Sequence, residues 1–505
     1  MRYGFVIDQT RCIGCHACTV ACKEENGVPL GAFRTWVKYV ERGEYPHTRR
    51  HFAVLRCNHC DNAPCVTICP TVALYRRPDG IVDFDGRRCI GCKSCMQACP
   101  YDALYIDPDT HTAAKCHFCA HRIERGLEPA CVIVCPERAI LAGDLDDPSS
   151  EVARVVARGQ VTVRKPEQGT RPKLFYLGAD HAALVPQAQS TPAASMWGQG
   201  PGEALSLTAL ARARAADGAG SRTTETEPAV GRVAYDAPHE PRPWGWRVSL
   251  YLWTKAVAAG AALFAALGVL GGWGPAGRRL PAMALGFLLL TTLLLIVDLK
   301  RPDRFLYILT KGNPRSWLVW GAWILMAFGG VTTLWLAIVA GGGGRGLAVL
   351  AVPWIALALA AAGYSAFLFA QAEGRDFWQS PLVLPHLLAA TVVAGGAAAL
   401  LAHGPSRPVR GLLLFGLGAH LFLILAERFV PHPNLDAETA ARLVTGGPWS
   451  GRFWGGVVVA GTLLPGLCLL SPSPLLGGLA GLLALAGLYL YEDLWVRAGQ
   501  AVPLS

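Results

Sequence analysis

Hydrophobic residues are distributed unevenly along this chain. From Trp246 onward long apolar runs recur, each about as long as the ~20-residue helix that a bilayer requires. We predict eight membrane-spanning helices, near residues 248–272, 280–298, 317–340, 347–370, 382–402, 411–430, 453–471 and 474–491. Tryptophans lie near several of their ends, as in the aromatic belts of membrane proteins. An even number of spans places both ends of this region on the same side of the membrane.

The residues before Trp246 lack such runs and change character once. In residues 1–185, short apolar stretches alternate with turn residues, and residues 73–84 predict a β-hairpin that turns at a Pro-Asp-Gly sequence. Residues 186–240 are rich in Ala, Gly, Ser, Thr, Pro and charge, which predicts a flexible linker with one short helix over residues 203–216. We therefore expect three parts, at residues 1–185, 186–240 and 241–505.

Cysteines add a second pattern to the first part. Sixteen of the seventeen lie between Cys12 and Cys135, in four runs of four. The third run has the spacing C-x2-C-x2-C-x3-C-P of bacterial ferredoxins, in which three thiolates bind one [4Fe–4S] cube and the fourth binds another. Sixteen thiolates are enough for four such cubes. The runs are Cys12, Cys15, Cys18 and Cys22; Cys57, Cys60, Cys65 and Cys69; Cys89, Cys92, Cys95 and Cys99; and Cys116, Cys119, Cys131 and Cys135.

Disulfides and zinc are alternative uses of closely spaced cysteines. Disulfide-dense domains are short and secreted, whereas this chain is long and its N-terminus predicts no targeting peptide. Zinc ribbons use C-x2-C pairs separated by longer gaps, a pattern that the fourth run alone would fit. The matched number of runs favours iron–sulfur clusters over both. We expect Cys468, a lone thiol in an apolar span, to serve packing.

Composition and charge indicate a membrane protein and not a nucleic-acid-binding one. The 505 residues are 52% hydrophobic and 16% charged, with a formal net charge of +10. No basic run alternates with aromatic residues outside the cysteine loops, so we expect no nucleic-acid partner. Most of the positive excess lies near span ends and cysteine loops, where lipid headgroups or a partner subunit supply the counter-charge.

Polar residues in the predicted spans lie in the halves that adjoin the cysteine region. Ionisable groups are costly in a bilayer and commonly mark function. A quinone needs an apolar slot, hydrogen-bond donors at its carbonyl oxygens and titratable groups for its protons. We therefore predict a quinone pocket beneath the cysteine region, and we interpret Glu492 and Asp493 as interfacial charges. The candidate pocket residues are Tyr251, Lys255, Asp298, Tyr364, Gln371, His386, His420 and Glu427.

Several of these candidates have a second interpretation. Asp298 is also suited to capping a loop. Tyr251 and Tyr364 are also suited to an aromatic belt. His386 is suited to a hydrogen bond between helices, and Lys255 to reaching the interface with its long side chain.

The four cysteine runs resemble the four-cluster electron-transfer subunit of reductases of the dimethyl sulfoxide and polysulfide reductase type, over residues 1 to about 180. The resemblance implies a molybdenum or tungsten bis-pterin catalytic partner. It also implies that the first and fourth runs serve one pair of cubes and the second and third runs the other. The implied ligand sets are Cys12, Cys15, Cys18 and Cys135; Cys22, Cys116, Cys119 and Cys131; Cys57, Cys60, Cys65 and Cys99; and Cys69, Cys89, Cys92 and Cys95.

The membrane region resembles the NrfD-like membrane subunit of the polysulfide reductase type. The matching segments are residues 249–260, 298–305, 313–317, 363–366 and 377–381. The resemblance implies menaquinone or ubiquinone bound near the iron–sulfur subunit and no haem. Relatives usually keep the two parts as separate chains, so we interpret this chain as a fusion. We expect an α+β ferredoxin-like domain with two double-cluster modules, followed by an all-α membrane domain of about eight transmembrane helices.

These features predict an electron-transfer and membrane-anchor subunit that passes electrons between a molybdopterin-type catalytic subunit and a membrane quinone. Two alternatives are a redox-driven proton-translocating module and a non-catalytic anchor. We expect the protein in the cytoplasmic membrane of a bacterium or archaeon. Lys and Arg are more numerous in the short loops on the iron–sulfur side, which favours a cytoplasmic iron–sulfur domain.

Overall fold

The computed structural model describes residues 1–43, 46–190, 231–238, 243–273, 277–342 and 346–505. The short helix predicted over residues 203–216 lies outside these ranges. Within them, a mixed α/β region is followed by a helical region that begins at Trp246, as the apolar pattern predicts.

Two four-stranded sheets frame the α/β region. The strands of this region are β1 (Tyr3–Asp8), β2 (Thr35–Arg42), β3 (Arg49–Arg56), β4 (Leu74–Arg76), β5 (Val82–Phe84), β6 (Leu104–Ile106), β7 (Ala113–Lys115), β8 (Ile140–Asp144), β9 (Val161–Thr162), β10 (Leu174–Leu177), β11 (Gln189–Ser190) and β12 (Gly231–Tyr235). One sheet has the order β8-β1-β10-β9 and the other has the order β11-β12-β2-β3. The apolar faces of both sheets pack into one core that also contains most of the cysteines.

Two hairpins and seven short helices complete the described α/β region, and the first five helices carry or adjoin cysteines of the runs. The antiparallel pairing of β4 with β5 confirms the hairpin predicted over residues 73–84, and β6 pairs with β7 in the same way. The helices are α1 (Ala17–Asn26), α2 (Pro64–Ile68), α3 (Ser94–Ala98), α4 (Ala120–Ile123), α5 (Ala130–Ile133), α6 (Glu151–Ala157) and α7 (His181–Leu184).

Both ends of the linker predicted over residues 186–240 belong to the second sheet. β11 pairs in parallel with β12, and β12 pairs antiparallel with β2. Within the described chain, strands therefore lie at both edges of the predicted linker, at Gln189–Ser190 and at Gly231–Tyr235. The composition gave no sign of this, because two short strands become stable only when a partner strand satisfies their backbone hydrogen bonds.

Seven helices among the described residues are long and apolar enough to cross a membrane. They match seven of the predicted spans, five of them to within two residues at both ends; the helix that begins at Arg407 starts four residues before its predicted span, and the last helix extends seven residues beyond its own. They are α8 (Trp246–Leu270), α9 (Arg279–Asp298), α11 (Trp317–Ala340), α12 (Leu347–Ala370), α13 (Val383–His403), α14 (Arg407–Phe429) and α17 (Pro474–Ala498). The helices between them are α10 (Tyr307–Thr310), α15 (Leu435–Thr445) and α16 (Arg452–Cys468).

The remaining predicted span corresponds to α16, which is shorter than the other seven. Its residues 452–463 are π-helical and residues 464–468 are α-helical. Near its start, Trp454 donates its ring N–H to the carbonyl oxygen of Thr445 at the end of α15 (2.9 Å). Just past its end, the carbonyl oxygen of Leu469 accepts a hydrogen bond from Arg410 at the start of α14 (2.9 Å). In the described chain α16 thus joins the two ends of the bundle, and with it eight helices run between those ends.

The α/β region rests on one end of the helical bundle. The loop after α9 lies against the third cysteine run, where the N–H of Lys300 donates to the carbonyl oxygen of Gly91 (3.2 Å). The chain end returns to the same side, since Arg164 donates to the carbonyl oxygen of Leu504 (3.0 Å). The loop after α9 and the last residues of the membrane region therefore both lie beside the α/β region.

Two glycines permit this close approach. A Cβ atom on Gly91 would lie 2.6 Å from the Cβ atom of Lys300, and one on Gly374 would lie 2.6 Å from the carbonyl oxygen of Cys99. Gly91 also has a φ of 68°, a conformation that side chains other than glycine rarely adopt. Each glycine therefore marks a point where the two regions meet backbone to backbone.

Candidate functional site

In each cysteine run, a short helix directs the last two cysteines to two different sites. The last two cysteines of a run are four residues apart, as are Cys18 and Cys22 on α1. Four helical residues rise by ~6 Å, so neighbouring cysteines of this kind reach adjacent but separate sites. Cys95 on α3 and Cys99 directly after it repeat the arrangement.

The structure brings the sixteen cysteines of the runs together in four sets. Three sets line cavities of about 300 to 380 Å³. In the remaining set, the thiols of Cys57, Cys60, Cys65 and Cys99 interact electrostatically with one another. Each set takes three cysteines from one run and one from another. The three cavity-lining sets are Cys12, Cys15, Cys18 and Cys135; Cys22, Cys116, Cys119 and Cys131; and Cys69, Cys89, Cys92 and Cys95.

Left-handed residues bend the backbone around these cavities. Gly14 and His16 in the first run, and Gly91 and Lys93 in the third, have φ between 61° and 71°. This bending turns backbone N–H groups toward sulfur: the N–H groups of Gly91 and Ala113 each lie 3.4 Å from the Sγ atom of Cys89. Such N–H groups stabilise the negative charge of a thiolate and of the cluster it holds.

The thiols fit an iron–sulfur cluster better than disulfides or a single zinc ion. All seventeen cysteines lie in the described ranges and all are free thiols. No group of three His, Cys, Asp or Glu side chains in those ranges is arranged to hold a single metal ion. Burial raises the pKa of the Cys18 thiol to about 12 and that of Cys99 to about 11. Buried thiolates therefore need the positive charge that bound iron supplies.

The four sets form a line through the α/β region. Cys18 of the first set interacts electrostatically with Cys131 of the second. Cys116 of the second interacts with Cys57 of the third. Cys95 of the fourth interacts with Cys65 of the third. We call the sets S1 to S4 in this order, so that S1 contains Cys12 and S4 contains Cys89.

S4 lies against the membrane region through contacts from several of its helices and loops. Trp244 donates its ring N–H to the carbonyl oxygen of Cys92 (3.2 Å), and Asn313 donates to that of Cys69 (2.9 Å). Asp298, at the end of α9, forms a 2.9 Å ion pair with the buried Lys93. S4 is thus held on the end of the bundle by contacts at or next to two of its own cysteines, Cys69 and Cys92.

The candidate pocket residues lie in three places. Two of these residues, Asp298 and Gln371, lie at the docking surface, where the membrane region meets the α/β region. Asp298 binds Lys93 as described, and does not merely cap its own loop. The Oε1 atom of Gln371 accepts from the backbone N–H of Trp317 (2.8 Å), which satisfies the start of α11.

Tyr251, Lys255 and Tyr364 form an inner group between α8 and α12. The Nζ atom of Lys255 donates to the carbonyl oxygen of Ala362 (3.2 Å) and to the hydroxyl of Ser365, and it lies 4.5 Å from the centre of the Tyr364 ring. All three side chains are buried, Lys255 at 2% exposure. Lys255 therefore does not reach the interface, and the two tyrosines do not form an interfacial belt.

His386, His420 and Glu427 form an outer group between α13, α14 and α17. The two histidine rings lie 4.9 Å apart, centre to centre. The Oε2 atom of Glu427 accepts a hydrogen bond from the hydroxyl of Tyr491 (3.1 Å). The Nε2 atom of His386 lies 3.7 Å from Glu492, and neither of its ring nitrogens forms a hydrogen bond. His386 therefore does not form a hydrogen bond that links two helices.

Comparisons with known proteins now identify the membrane region. The model of the family "Polysulphide reductase, NrfD" matches residues 237–501, more than half of the chain. This protein belongs to the NrfD family. A model of a 4Fe-4S dicluster domain matches residues 49–145.

The iron–sulfur region of this NrfD-family chain is similar to separate subunits of several reductases. It is 50% identical to a subunit of tetrathionate reductase from Salmonella typhimurium over 189 residues, which are 37% of this chain and 76% of the relative. It is 44% identical to a polypeptide of polysulfide reductase from Wolinella succinogenes over 177 residues, 34% of this chain and 93% of the relative. Protein NrfC of Escherichia coli is also 44% identical, over 178 residues, 35% of this chain and 80% of the relative.

These similarities confirm the predicted fold and general role. The chain is an electron-transfer iron–sulfur subunit of the [4Fe–4S] type fused to an NrfD-type, multi-pass membrane anchor. Because the relatives are subunits of reductases, a separate catalytic subunit is implied. The segments quoted for the resemblance at residues 298–305 and 313–317 are the loops that hold S4.

Sequence reasoning missed several residues of the NrfD-type site and its surroundings. Glu492 is 1% exposed and lies beside His386, so its interpretation as an interfacial charge is wrong. Asp493 is also buried, in a 2.7 Å ion pair with Arg497. Tyr491 and Arg56 were not singled out at all. The polar residues at the end of α17 were the sequence signal for Tyr491, Glu492 and Asp493. Nothing in the sequence near Arg56 indicates its role.

Proposed function

We propose that this chain carries electrons between a molybdenum or tungsten bis-pterin catalytic subunit and a membrane quinone, either menaquinone or ubiquinone, through four [4Fe–4S] clusters. The single observation that supports this most strongly is the line of four cysteine sets that ends at S4, directly above a buried polar group in the bundle. Linear order suits a chain of one-electron carriers, the chemistry that iron–sulfur clusters supply.

Each set provides the ligands of one cluster in this proposal. S1 to S4 each contribute four thiolates, with the memberships given above, and no cysteine of the runs is left over. The shared helices α1, α2, α3 and α5 hold neighbouring sets close together, and this closeness supports transfer along the line. The same pairing of runs follows from the resemblance to four-cluster subunits.

The quinone site is assigned to the inner group beneath S4. Lys255 and the hydroxyls of Tyr251 and Tyr364 supply the donors that a quinone carbonyl needs, and the surrounding helix faces are apolar. The ion pair between Lys93 and Asp298 (2.9 Å) anchors S4 directly above α9, the neighbour of α8. Asp298 and Gln371 act in this proposal by holding the cluster region in place.

The catalytic partner docks at the opposite end of the line, at S1. Apolar side chains of the first and fourth runs are exposed there, among them Ile13 (55%), Val20 (65%) and Ile133 (56%). Exposed apolar groups in a cluster commonly mark a protein interface. Electrons enter or leave the chain at this surface.

The membrane is the cytoplasmic membrane of a bacterium or archaeon in this proposal, with the iron–sulfur region in the cytoplasm. The larger number of Lys and Arg in the loops on that side supports the orientation. Labelling of a single cysteine introduced in a far-side loop, in intact cells, tests it directly.

Redox-titrated EPR spectroscopy of membranes that contain the full chain tests the electron-transfer proposal. We expect four [4Fe–4S] signals, one of which changes when a hydroxyquinoline N-oxide occupies the quinone site. The substitution Lys255→Met removes that change and leaves four signals. Four signals that never respond to the inhibitor would instead indicate a non-catalytic anchor, and fewer than four would overturn the assignment of the clusters.

A further inference from the structure

A cavity of about 330 Å³ opens beside the outer group of the membrane region, between α14, α15, α17 and the start of α16. Most of its lining is apolar or aromatic. The partly buried Glu427 and the buried Tyr491 are polar exceptions, and Tyr491 donates its hydroxyl hydrogen to Glu427 (3.1 Å). Arg428 and Thr445, which also line it, are partly exposed. The cavity therefore brings a carboxyl group close to the surface on the iron–sulfur side.

Behind Tyr491 lie more titratable groups than packing requires. The rings of His386 and His420 lie 4.7 and 5.4 Å from the Tyr491 ring, centre to centre. Both nitrogens of His386, the Nε2 atom of His420 and the Oε2 atom of Glu492 are buried without a protein hydrogen-bond partner. Buried polar atoms of this kind normally bind water. This part of the bundle is therefore suited to a short chain of waters and side chains.

Glu492 connects this outer group with the inner one. One of its oxygens lies 3.7 Å from His386. On its other side it interacts electrostatically with Lys255 and Tyr251. Asp493, the next residue, is engaged elsewhere by Arg497 and by the hydroxyl of Ser249. The titratable groups thus form a series from the cavity toward Lys255, and bound water would bridge the gaps where no direct hydrogen bond joins them.

We propose that Glu427, Tyr491, the pair His386 and His420, and Glu492 form a proton route between the cavity and the quinone site. This inference rests on the function proposed above. When a quinone is reduced, it takes two electrons from the clusters and two protons through this route; when a quinol is oxidised, both move in the opposite direction. The route opens on the iron–sulfur side, so protons and electrons reach the quinone from the same face of the membrane.

The full chain in liposomes tests the route, with reduced methyl viologen as electron donor to the iron–sulfur region and decylubiquinone as acceptor. We expect Glu427→Gln to slow quinone reduction at least tenfold, because its amide takes up no proton. Glu427→Asp is expected to retain most of the rate, and sodium azide, a small weak acid in its protonated form, to restore the Gln variant. Tyr491→Phe provides a second variant. Glu438→Gln, on a half-exposed carboxylate of α15, is the matched control and keeps the wild-type rate.

EPR titration of the same samples separates the two proposals. The Glu427→Gln variant is expected to keep four cluster signals and the response of one to the inhibitor. Loss of that response would overturn the proton route and make the cavity itself the quinone site. An unchanged rate of quinone reduction in Glu427→Gln would overturn the route as well. Failure of the wild-type chain to reduce decylubiquinone would contradict the proposed function itself.

Discussion

At the scale of single residues, Arg56 is the most unusual group of the iron–sulfur region. It is 1% exposed, and it lies directly before Cys57 of S3 while it donates to the Sγ atom of Cys131 in S2 (3.1 Å). Two of its nitrogens have no protein partner, and its guanidinium group lies over the Phe5 ring. A buried charge is tolerated only near an opposite charge, which the thiolates of S2 and the cluster proposed there would provide. Arg56 is therefore suited to stabilising the reduced form of that cluster.

Replacing Arg56 with glutamine is expected to lower the reduction potential of one cluster. Loss of ~1.4 kcal/mol of stabilisation of the reduced state corresponds to about 60 mV for a one-electron couple, and we expect a shift of at least this size. Redox titration followed by EPR measures it. Arg87→Gln is the control, because the Arg87 side chain is 92% exposed and should leave every potential unchanged. A wild-type potential for all four clusters in the Arg56 variant would contradict the assigned role.

Gly321 offers a test of the inner group at the same scale. A Cβ atom at this position would lie 2.3 Å from the Cε2 atom of the Tyr364 ring, so Gly321→Ala must displace the ring. We expect the KM for decylubiquinone to rise about tenfold while the EPR signals of the clusters persist, since ~1.4 kcal/mol of lost binding is a factor of ten. Gly330→Ala, in the same helix with no atom within 4 Å, is the matched control. Equal KM values for the two variants would argue against Tyr364 as a quinone ligand.

At the scale of elements, the loop between α9 and α11 holds the iron–sulfur region on the membrane region. It carries two arginines and an asparagine that bind backbone carbonyl oxygens of the iron–sulfur region: Arg304 binds that of Cys89 (3.1 Å), and Asn313 that of Cys69. Backbone carbonyls are fixed in space, so these contacts determine position more strictly than contacts between flexible side chains would. The loop therefore fixes the distance between S4 and the inner group.

Breaking the ion pair between Asp298 and Lys93, at the start of this loop, is expected to weaken the attachment of S4 to the membrane region. Asp298→Asn leaves the buried Lys93 without its partner, and removing one member of a buried pair costs about 3 kcal/mol or more. We expect faster hydrogen exchange of the backbone N–H groups in residues 89–95. Asp109→Asn, on an exposed side chain in the turn between β6 and β7, is the control. Unchanged exchange in the Asp298 variant would show that the backbone contacts alone hold S4 in place.

At the scale of the whole molecule, fusion of two parts in one chain brings the iron–sulfur and membrane regions together at a fixed ratio. S1 lies at the free end and S4 at the membrane, while the chain after α17 returns to the iron–sulfur region at Leu504. The strands that follow and precede residues 191–230 belong to one sheet. The membrane region is thereby joined to the iron–sulfur region at several places along the sequence, and not by a single connection.

A linear order of sets predicts that loss of an inner set interrupts the path. Cys131→Ser removes one ligand of S2, so electron transfer from reduced methyl viologen to decylubiquinone is expected to fall to below about a tenth, because each cluster carries one electron at a time along a single line. Decylubiquinol should still reduce the clusters of S3 and S4, as EPR detects. Cys468→Ser, a partly exposed thiol outside the sets, is the control and keeps the wild-type rate. Undiminished transfer through the Cys131 variant would contradict the linear order.

Local spacing explains what could be predicted. The lengths of the apolar runs gave the helices to within a few residues, as for α11 and α12, because a span is defined by consecutive residues. The one departure, the 17-residue α16, combines a π-helical segment with an α-helical one, a backbone choice that apolar composition does not encode. Composition does not encode the two strands at the edges of the predicted linker either, since β11 and β12 depend on each other across forty residues that separate them in sequence.

The sequence by itself determined the iron–sulfur region, seven of the eight predicted membrane helices and the side of the bundle on which the polar residues lie, because each follows from spacing along a short stretch of chain. Only the tertiary structure decided how those polar residues divide: Asp298 and Gln371 went to the docking surface, while Glu492 joined His386 in the interior. It also decided the order from S1 to S4 and the place of Arg56. The physical reason is that burial and pairing depend on which helices and loops pack together, and those contacts join residues far apart in the sequence.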